Sequence, residues 1–272
     1  MSAVPQTVAL PRAFTIAPRW QRTLIRVATG VILLVLWEVL IRWLAPAFVA
    51  RPVTIARALP HVLAGHTPPG SPPFWGSVES TVAACFEGLA IGTVAGVLVG
   101  LTMGRLRLAD RLLRFYINAF FAMPILAMVP LMQLWVAPSK ARLAIVSLGA
   151  FLPICLNVYD GARSLPAHYV EVAKTYHARW WNVWFGIALP ASLPYVLAGF
   201  RLAVGRVLVG ATVAEYVLSL KGLGYLIVYD SRSFHQDVMM VAVLVLALLG
   251  VSINVAADVA THRLLPWHRR SE

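Results

Sequence analysis

The sequence predicts an all-α integral membrane protein of about six transmembrane helices, with one long amphipathic segment, residues 160–194, between the fourth and the fifth. Three observations predict it. Hydrophobic residues make up 60% of the 272 and charged residues 12%, for a mean hydropathy of +0.76, whereas a soluble domain carries about a quarter charged residues. The apolar residues are gathered in runs long enough to cross a hydrocarbon core of about 30 Å. The basic residues behind the net charge of +12 fall between those runs. They form neither one patch nor a series interleaved with stacking aromatics, so the charge reads as topogenic and not as a nucleic-acid footprint.

Residues 1–26 form a tail with Pro5, Pro11 and Pro18, and with Arg12, Arg19, Arg22 and Arg26 ahead of the first span at 27–44. That span has no small-residue cleavage site and carries Glu38, so it reads as retained and not as a signal peptide. Residues 45–76, rich in Pro, Gly and His, read as a loop with a short helix around 54–63. The second span, 78–103, holds Gly88, Gly92, Gly96 and Gly100, with Gly104 just beyond. A four-residue spacing puts them on one stripe, where a second helix can approach closely. A static contact and a slidable one both fit the stripe.

Arg105, Arg107, Arg111 and Arg114 read as a compact basic loop before the third span, 115–136, which Pro124 and Pro130 are expected to kink. A short turn leads to the fourth span, 143–159. Cys85 and Cys155 fall inside apolar runs with no zinc-type spacing, which implies neither a disulfide framework nor a metal site.

Trp180 to Phe200 is uncharged for 21 residues and reads by hydropathy as one more span, although Pro190 and Pro194 punctuate it. Charge decides against that. With the fifth span at 195–218, the sixth at 238–257 and residues 263–272 as a tail, both tails share one side. Fourteen Lys/Arg lie on that side, including Arg163, Lys174, Arg179, Arg263, Arg269 and Arg270; six lie opposite, among them Lys140, Arg142 and Lys221. The positive-inside rule then puts both tails and the 160–194 segment in the cytoplasm.

Within that segment Ser164 and Pro166 are helix-start residues and Glu171 favours the helix dipole. Tyr169, Ala173, Tyr176, Trp180 and Trp184 recur at three- and four-residue steps, giving an aromatic face. Periodicity alone leaves two roles open: docking on a partner, or resting at the lipid headgroups.

The run EVAKTYHARWWNVWFGIALPASLP resembles the EAA motif of the permease subunits of binding-protein-dependent ABC importers, the cytoplasmic loop that docks on the ATPase subunit. Glu171, Val172 and Ala173 stand at its E-A-A positions, His177 at the following glycine, and Leu189 and Pro190 at the closing L-P. Val172 is a mild departure; His177 replaces the glycine of a sharp turn, and can adopt the left-handed conformation at a cost. From about Trp37 to Pro266 the chain is similar to the nitrate/sulfonate/taurine branch, through RLRLADRLLRFYINAFFAMPILAMVPLMQLW, LAGFRLAVGRVLVGATVAEYV and GLGYLI.

The resemblance implies a type I importer fold in a bacterial inner membrane with both termini cytoplasmic. It implies as partners a second permease subunit in a homodimer, ABC ATPase subunits that bind ATP and Mg, and an external solute-binding protein. The solute it implies is a small anion such as an aliphatic sulfonate, taurine or nitrate, with bicarbonate or a heterocyclic vitamin precursor as alternatives. It also implies that ATPase closure draws the helices around Glu171 together and rocks the spans.

The chain's own residues agree with that division of labour. No G-x-x-x-x-G-K-[ST] loop occurs, so ATP hydrolysis is expected in a separate polypeptide. No H-E-x-x-H or paired-carboxylate arrangement suggests catalysis, and no cofactor is expected on this chain. An ATP-independent secondary transporter would more often show inverted repeats, which the sequence lacks.

Ionisable residues inside spans are costly unless paired or facing water. Glu38, Glu87, Arg201, Arg206 and Glu215 are such residues, and Arg201, Arg206, Glu215 and Glu87 are the candidates to line a pathway. Arg201 and Glu215 lie about 21 Å apart along one helix and cannot pair. Arg201 and Arg206 admit two roles: lining a pathway for an anion, or snorkelling near the cytoplasmic end of the fifth span. Gly222 and Gly224 permit a tight turn before a stretch that reads equally as a short helix or as a loop.

Overall fold

The computed structural model describes residues 19–44, 49–165 and 167–264. The tail before residue 19, residues 45–48, Pro166 and the tail after 264 lie outside the described residues. The chain forms two units, residues 1–54 and 55–272.

In the first unit, helix α1 (Arg19–Leu44) begins eight residues before the expected span, because the basic residues ahead of the apolar run continue the helix. Glu38 pairs with Arg42 one turn on, at 2.9 Å, and its other oxygen accepts the Val53 N–H at 3.2 Å. Helix α2 (Pro52–Leu63) starts here, its first turn tied by Thr54, which donates to the Arg51 carbonyl and accepts the Arg51 N–H.

The second unit is built on three long helices, α3 (Phe74–Arg105), α6 (Pro138–Arg163) and α9 (Leu189–Val217). Helix α6 lies between α3 and α9, and the core they share is made of Cys85, Leu89, Val146, Ile154, Val204 and Val207. The glycine stripe is what brings α3 onto α6. A Cβ on Gly92 would lie 2.5 Å from the Ala150 Cβ, and one on Gly100 2.5 Å from the Cys155 carbonyl oxygen. Gly88, Gly96 and Gly104 meet Val146, Ile154 and Ala162 in the same way. In a membrane, where apolar area gives no drive between helices, such backbone approach is what holds them.

The expected basic loop at 105–114 is not a loop. Only Leu106 is extended, and Arg107, Arg111 and Arg114 lie on α4 (Arg107–Ala122). Its first turns are amphipathic, held by Asp110, which Arg114 and Arg163 approach at 3.9 and 3.7 Å.

The third span is not one helix either. Met123 is extended (ψ 138°), as the residue before a proline tends to be. Beyond Pro124 come a 3₁₀ turn at Ile125–Met128 and one turn of α5 (Val129–Met132), bent 87° from α4.

Pro190 and Pro194 do not stop the chain. One helical run extends from Trp180 to Val217, formed by α8 (Trp180–Val183), a π-helical turn at Trp184–Ala188, and α9. The wide turn just ahead of Pro190 accommodates a residue with no N–H to donate. The run is about 57 Å long at 1.5 Å per residue, nearly twice a hydrocarbon core. Its 38 residues therefore include one crossing and an extension beyond it.

After α9 come α10 (Leu223–Arg232), the helical alternative at this stretch, and α11 (Gln236–Leu264). Among the described residues five helices are long and apolar enough to cross a membrane, and the bent pair makes a sixth if counted as one span.

Candidate functional site

At the end of the bundle where α9 finishes, a buried carboxylate ties four segments together. Glu215 is fully buried. The Thr81 hydroxyl lies 2.9 Å from both of its oxygens and accepts the Leu223 N–H at 2.8 Å. Gly224 N–H donates to Glu215 Oε2 at 3.0 Å, and the Arg142 guanidinium stands 3.4 Å from Oε1. Arg142 also donates to Ser80 Oγ and the Lys221 carbonyl. Each oxygen of this ion faces donors from other elements, the condition under which a buried pair is tolerated.

The glycines at 222 and 224 serve close approach and not the turn. A Cβ on Gly222 would strike the Glu215 carboxylate, and one on Gly224 the Thr212 carbonyl. The left-handed turn is taken by Ser219 (φ 52°), with Leu220 N–H bonding back to the Glu215 carbonyl.

Arg201 and Arg206 lie in the middle of α9, which starts well before residue 195. Their surroundings differ. Arg201 makes an ion pair with Asp258 of α11. Arg206 has no carboxylate within 4 Å among the described residues; its guanidinium carbon sits 4.2 Å from the ring centroid of Phe121 on α4. An arginine at mid-membrane depth costs roughly 2.5–3.5 kcal/mol on insertion scales, and a cation–π contact returns about 0.5–2 kcal/mol.

Arg206, itself exposed in the single chain, lines an open cavity of about 480 Å³ on the face of the bundle with Met123, Ile125, Ile145, Val209 and three glycines, among them Gly205. The break at Pro124 makes one wall, since a straight third span would carry Ile125 and Leu126 elsewhere. Glu87, on α3, is exposed and forms no ion pair among the described residues.

At the opposite end of α6 the chain enters α7 (Ala167–Thr175). Ala173 is buried, while Glu171, Tyr169, Val172 and Tyr176 are exposed. Helix α7 ends in a Schellman motif: His177 is left-handed (φ 51°) and Ala178 N–H bonds the Ala173 carbonyl at 2.9 Å. The chain then turns into α8, where Arg179 stacks 3.8 Å over the Trp181 ring and Trp180 meets Trp184 edge to face. Leu189 and Pro190 follow, half-buried at the start of α9.

The sequence reading does not single out Thr81 and Arg142 as partners of Glu215. The depth of each is the signal that could have found them: Arg142 opens the fourth span at the end where the fifth closes. Asp258, the partner of Arg201, sits on the last helix just past the expected end of the sixth span.

Residues 92–270 match the family model described as binding-protein-dependent transport system inner membrane component. A Halalkalibacterium halodurans formylaminopyrimidine transport permease is 30% identical over 72% of this chain and 79% of its own length. A Bacillus subtilis permease protein named for aliphatic sulfonates transport is 26% identical over 89% and 86% of the two chains. The taurine transport system permease of Escherichia coli is 23% identical over 92% and 93%. The fold is similar to that of a solved inward-facing methionine ABC transporter, with TM-score 0.56 at 21% identity over 70% of this chain and 93% of that one. It is also similar to a solved amino acid ABC transporter, with TM-score 0.57 at 12% identity over 79% and 99%.

Proposed function

The chain belongs to the binding-protein-dependent transport system inner membrane components, and from that membership we propose that it is the transmembrane permease subunit of an ATP-driven importer. It works as a homodimer, takes a small anion from an external solute-binding protein, and leaves ATP hydrolysis to separate ATPase subunits. The observation that carries this reading is the α7–α8 segment. Two short helices meet at a left-handed residue and present Tyr169, Val172, Tyr176 and Trp180 to the surroundings. An exposed aromatic face beside a buried Ala173 suits a protein cleft.

In this reading the Lys/Arg distribution puts both termini and residues 160–194 in the cytoplasm. Closure of the ATPase pair moves the two α7–α8 segments together. The motion passes along the continuous run Trp180–Val217 into the bundle, because a helix transmits displacement along its axis and packed helices have discrete arrangements. The cluster of Asp110, Arg114, Arg163 and Tyr159 braces α4 against α6 beside that segment. Differential binding of ATP to the closed ATPase pair is what shifts the equilibrium.

Among solutes, anions of the kind for which the sulfonate relative is named fit Arg206; the relatives named for taurine and formylaminopyrimidine offer a zwitterionic and a neutral alternative.

The test is copurification. Coexpressed with its cognate importer ATPase subunit, the chain is expected to pull that ATPase down. Ala173→Trp, which cannot fit a buried site, and Glu171→Lys are each expected to cut recovery at least tenfold without loss of the permease from the membrane. Undiminished recovery and transport in both variants would falsify the docking role.

A further inference from the structure

We propose that the Arg206 cavity is a transit site for an organic monoanion, its oxyanion head held by the guanidinium and its short apolar body held by Met123, Ile125, Ile145 and Val209. The proposal rests on the permease reading above and adds to it a site and a solute class.

Depth is the first support. Ile145 and Gly149 lie about 10–17 Å from the start of α6, and Gly205 to Gly210 about 10–18 Å from the end of α9, at 1.5 Å per residue. The cavity therefore lies within the depth of a core about 30 Å thick and opens on the face of the bundle that the single chain leaves exposed. A cavity of about 480 Å³ is also within the range of small-molecule sites.

Charge is the second. Arg201, five residues before Arg206 on the same helix, has a carboxylate within 4 Å. Arg206 has none among the described residues and faces a ring instead. A ring positions a guanidinium without neutralising it, and leaves the N–H fork free for an oxyanion, which binds it bidentately and more strongly.

The rest of the lining decides the class. Among the described residues that line it Arg206 is the one that is charged, and the others are apolar or glycine. An alkyl body is therefore welcome, whereas the ammonium of a zwitterion meets no acceptor of opposite charge there and pays its desolvation without return.

The space itself comes from missing side chains. A Cβ on Gly205 would meet nothing within 4 Å. A larger residue at that position enters the cavity without pushing the backbone, which gives a test independent of charge.

The experiment uses the detergent-solubilised permease–ATPase complex and saturation-transfer NMR with two probes, ethanesulfonate and taurine, which differ in an ammonium group. Ethanesulfonate is expected to bind saturably, with taurine at least tenfold weaker. Arg206→Gln and Gly205→Leu are each expected to weaken ethanesulfonate at least tenfold, and Arg206→Lys less than Arg206→Gln, while all three variants retain the ATPase. Three results would overturn the proposal: no saturable ethanesulfonate signal, a signal unchanged in Arg206→Gln, or taurine bound as tightly as ethanesulfonate. Failure to recover any ATPase with the wild-type chain would instead overturn the permease reading.

Discussion

Two charged residues of α9, nine positions apart, are treated in opposite ways. Near the end of the helix Glu215 has lost all contact with solvent, yet a hydroxyl, a backbone N–H and a guanidinium converge on it. In the middle of the helix Arg206 has the Phe121 ring beside it and a cavity in front of it.

The difference between them separates scaffold from site. An ion whose partners all come from the protein fixes the relative positions of the elements that supply them. An ion left with a ring and open space keeps its capacity to bind for something else.

The largest expected effect lies at the satisfied ion. Glu215→Ala takes the carboxylate from Arg142 and the acceptor from the Thr81 hydroxyl and the Gly224 N–H. It is expected to cost about 3–5 kcal/mol, the range for breaking a buried pair. Thermal unfolding of the complex in detergent measures it, and a loss below about 1 kcal/mol would remove the contrast with Arg206.

A smaller effect is expected at the α7 turn, which extends the contrast from charge to backbone strain. His177 holds φ 51°, a conformation that costs an L-residue roughly 1–2 kcal/mol and glycine nearly nothing. His177→Gly is expected to stabilise the turn by about 1 kcal/mol, read as a several-fold gain in ATPase affinity. A loss of affinity would mean that the imidazole itself makes a contact worth more than the strain.

The smallest effect belongs to the paired neighbour of Arg206. Arg201 and Asp258 are each about half exposed in the single chain, at 47% and 48%. A double-mutant cycle with Arg201→Gln and Asp258→Asn is expected to give a coupling of about 0.2–1 kcal/mol. A coupling well above that range would place Arg201 with Glu215 among the structural ions.

Much of this is legible in the chain. The glycine stripe at 88–104 announces a close helix contact because its spacing is a property of the helix alone. The EAA-like run announces the α7–α8 segment, and the histidine at the glycine position points to the left-handed turn that His177 adopts. The bend at Pro124 is legible as a kink, but its 87° angle is not, because a proline removes a bond without specifying where the freed chain packs.

Other features depend on neighbours far along the chain. Arg201 pairs with a residue 57 positions on, and Glu215 with Thr81, 134 positions back. Nothing local marks either partner. Ser219 and Phe234 follow helices in the left-handed region without glycine, so no residue signals those turns.

Hydropathy and helical period are sums over adjacent residues, and they suffice to say that the chain crosses a membrane, roughly where its helices run, and which face of α3 takes a neighbour. Which charges are satisfied and which face a cavity came from packing alone. That outcome depends on the meeting of α3, α4, α6, α9 and α11 in three dimensions, where a few ångströms between a guanidinium and the nearest carboxylate separate a brace from a binding group.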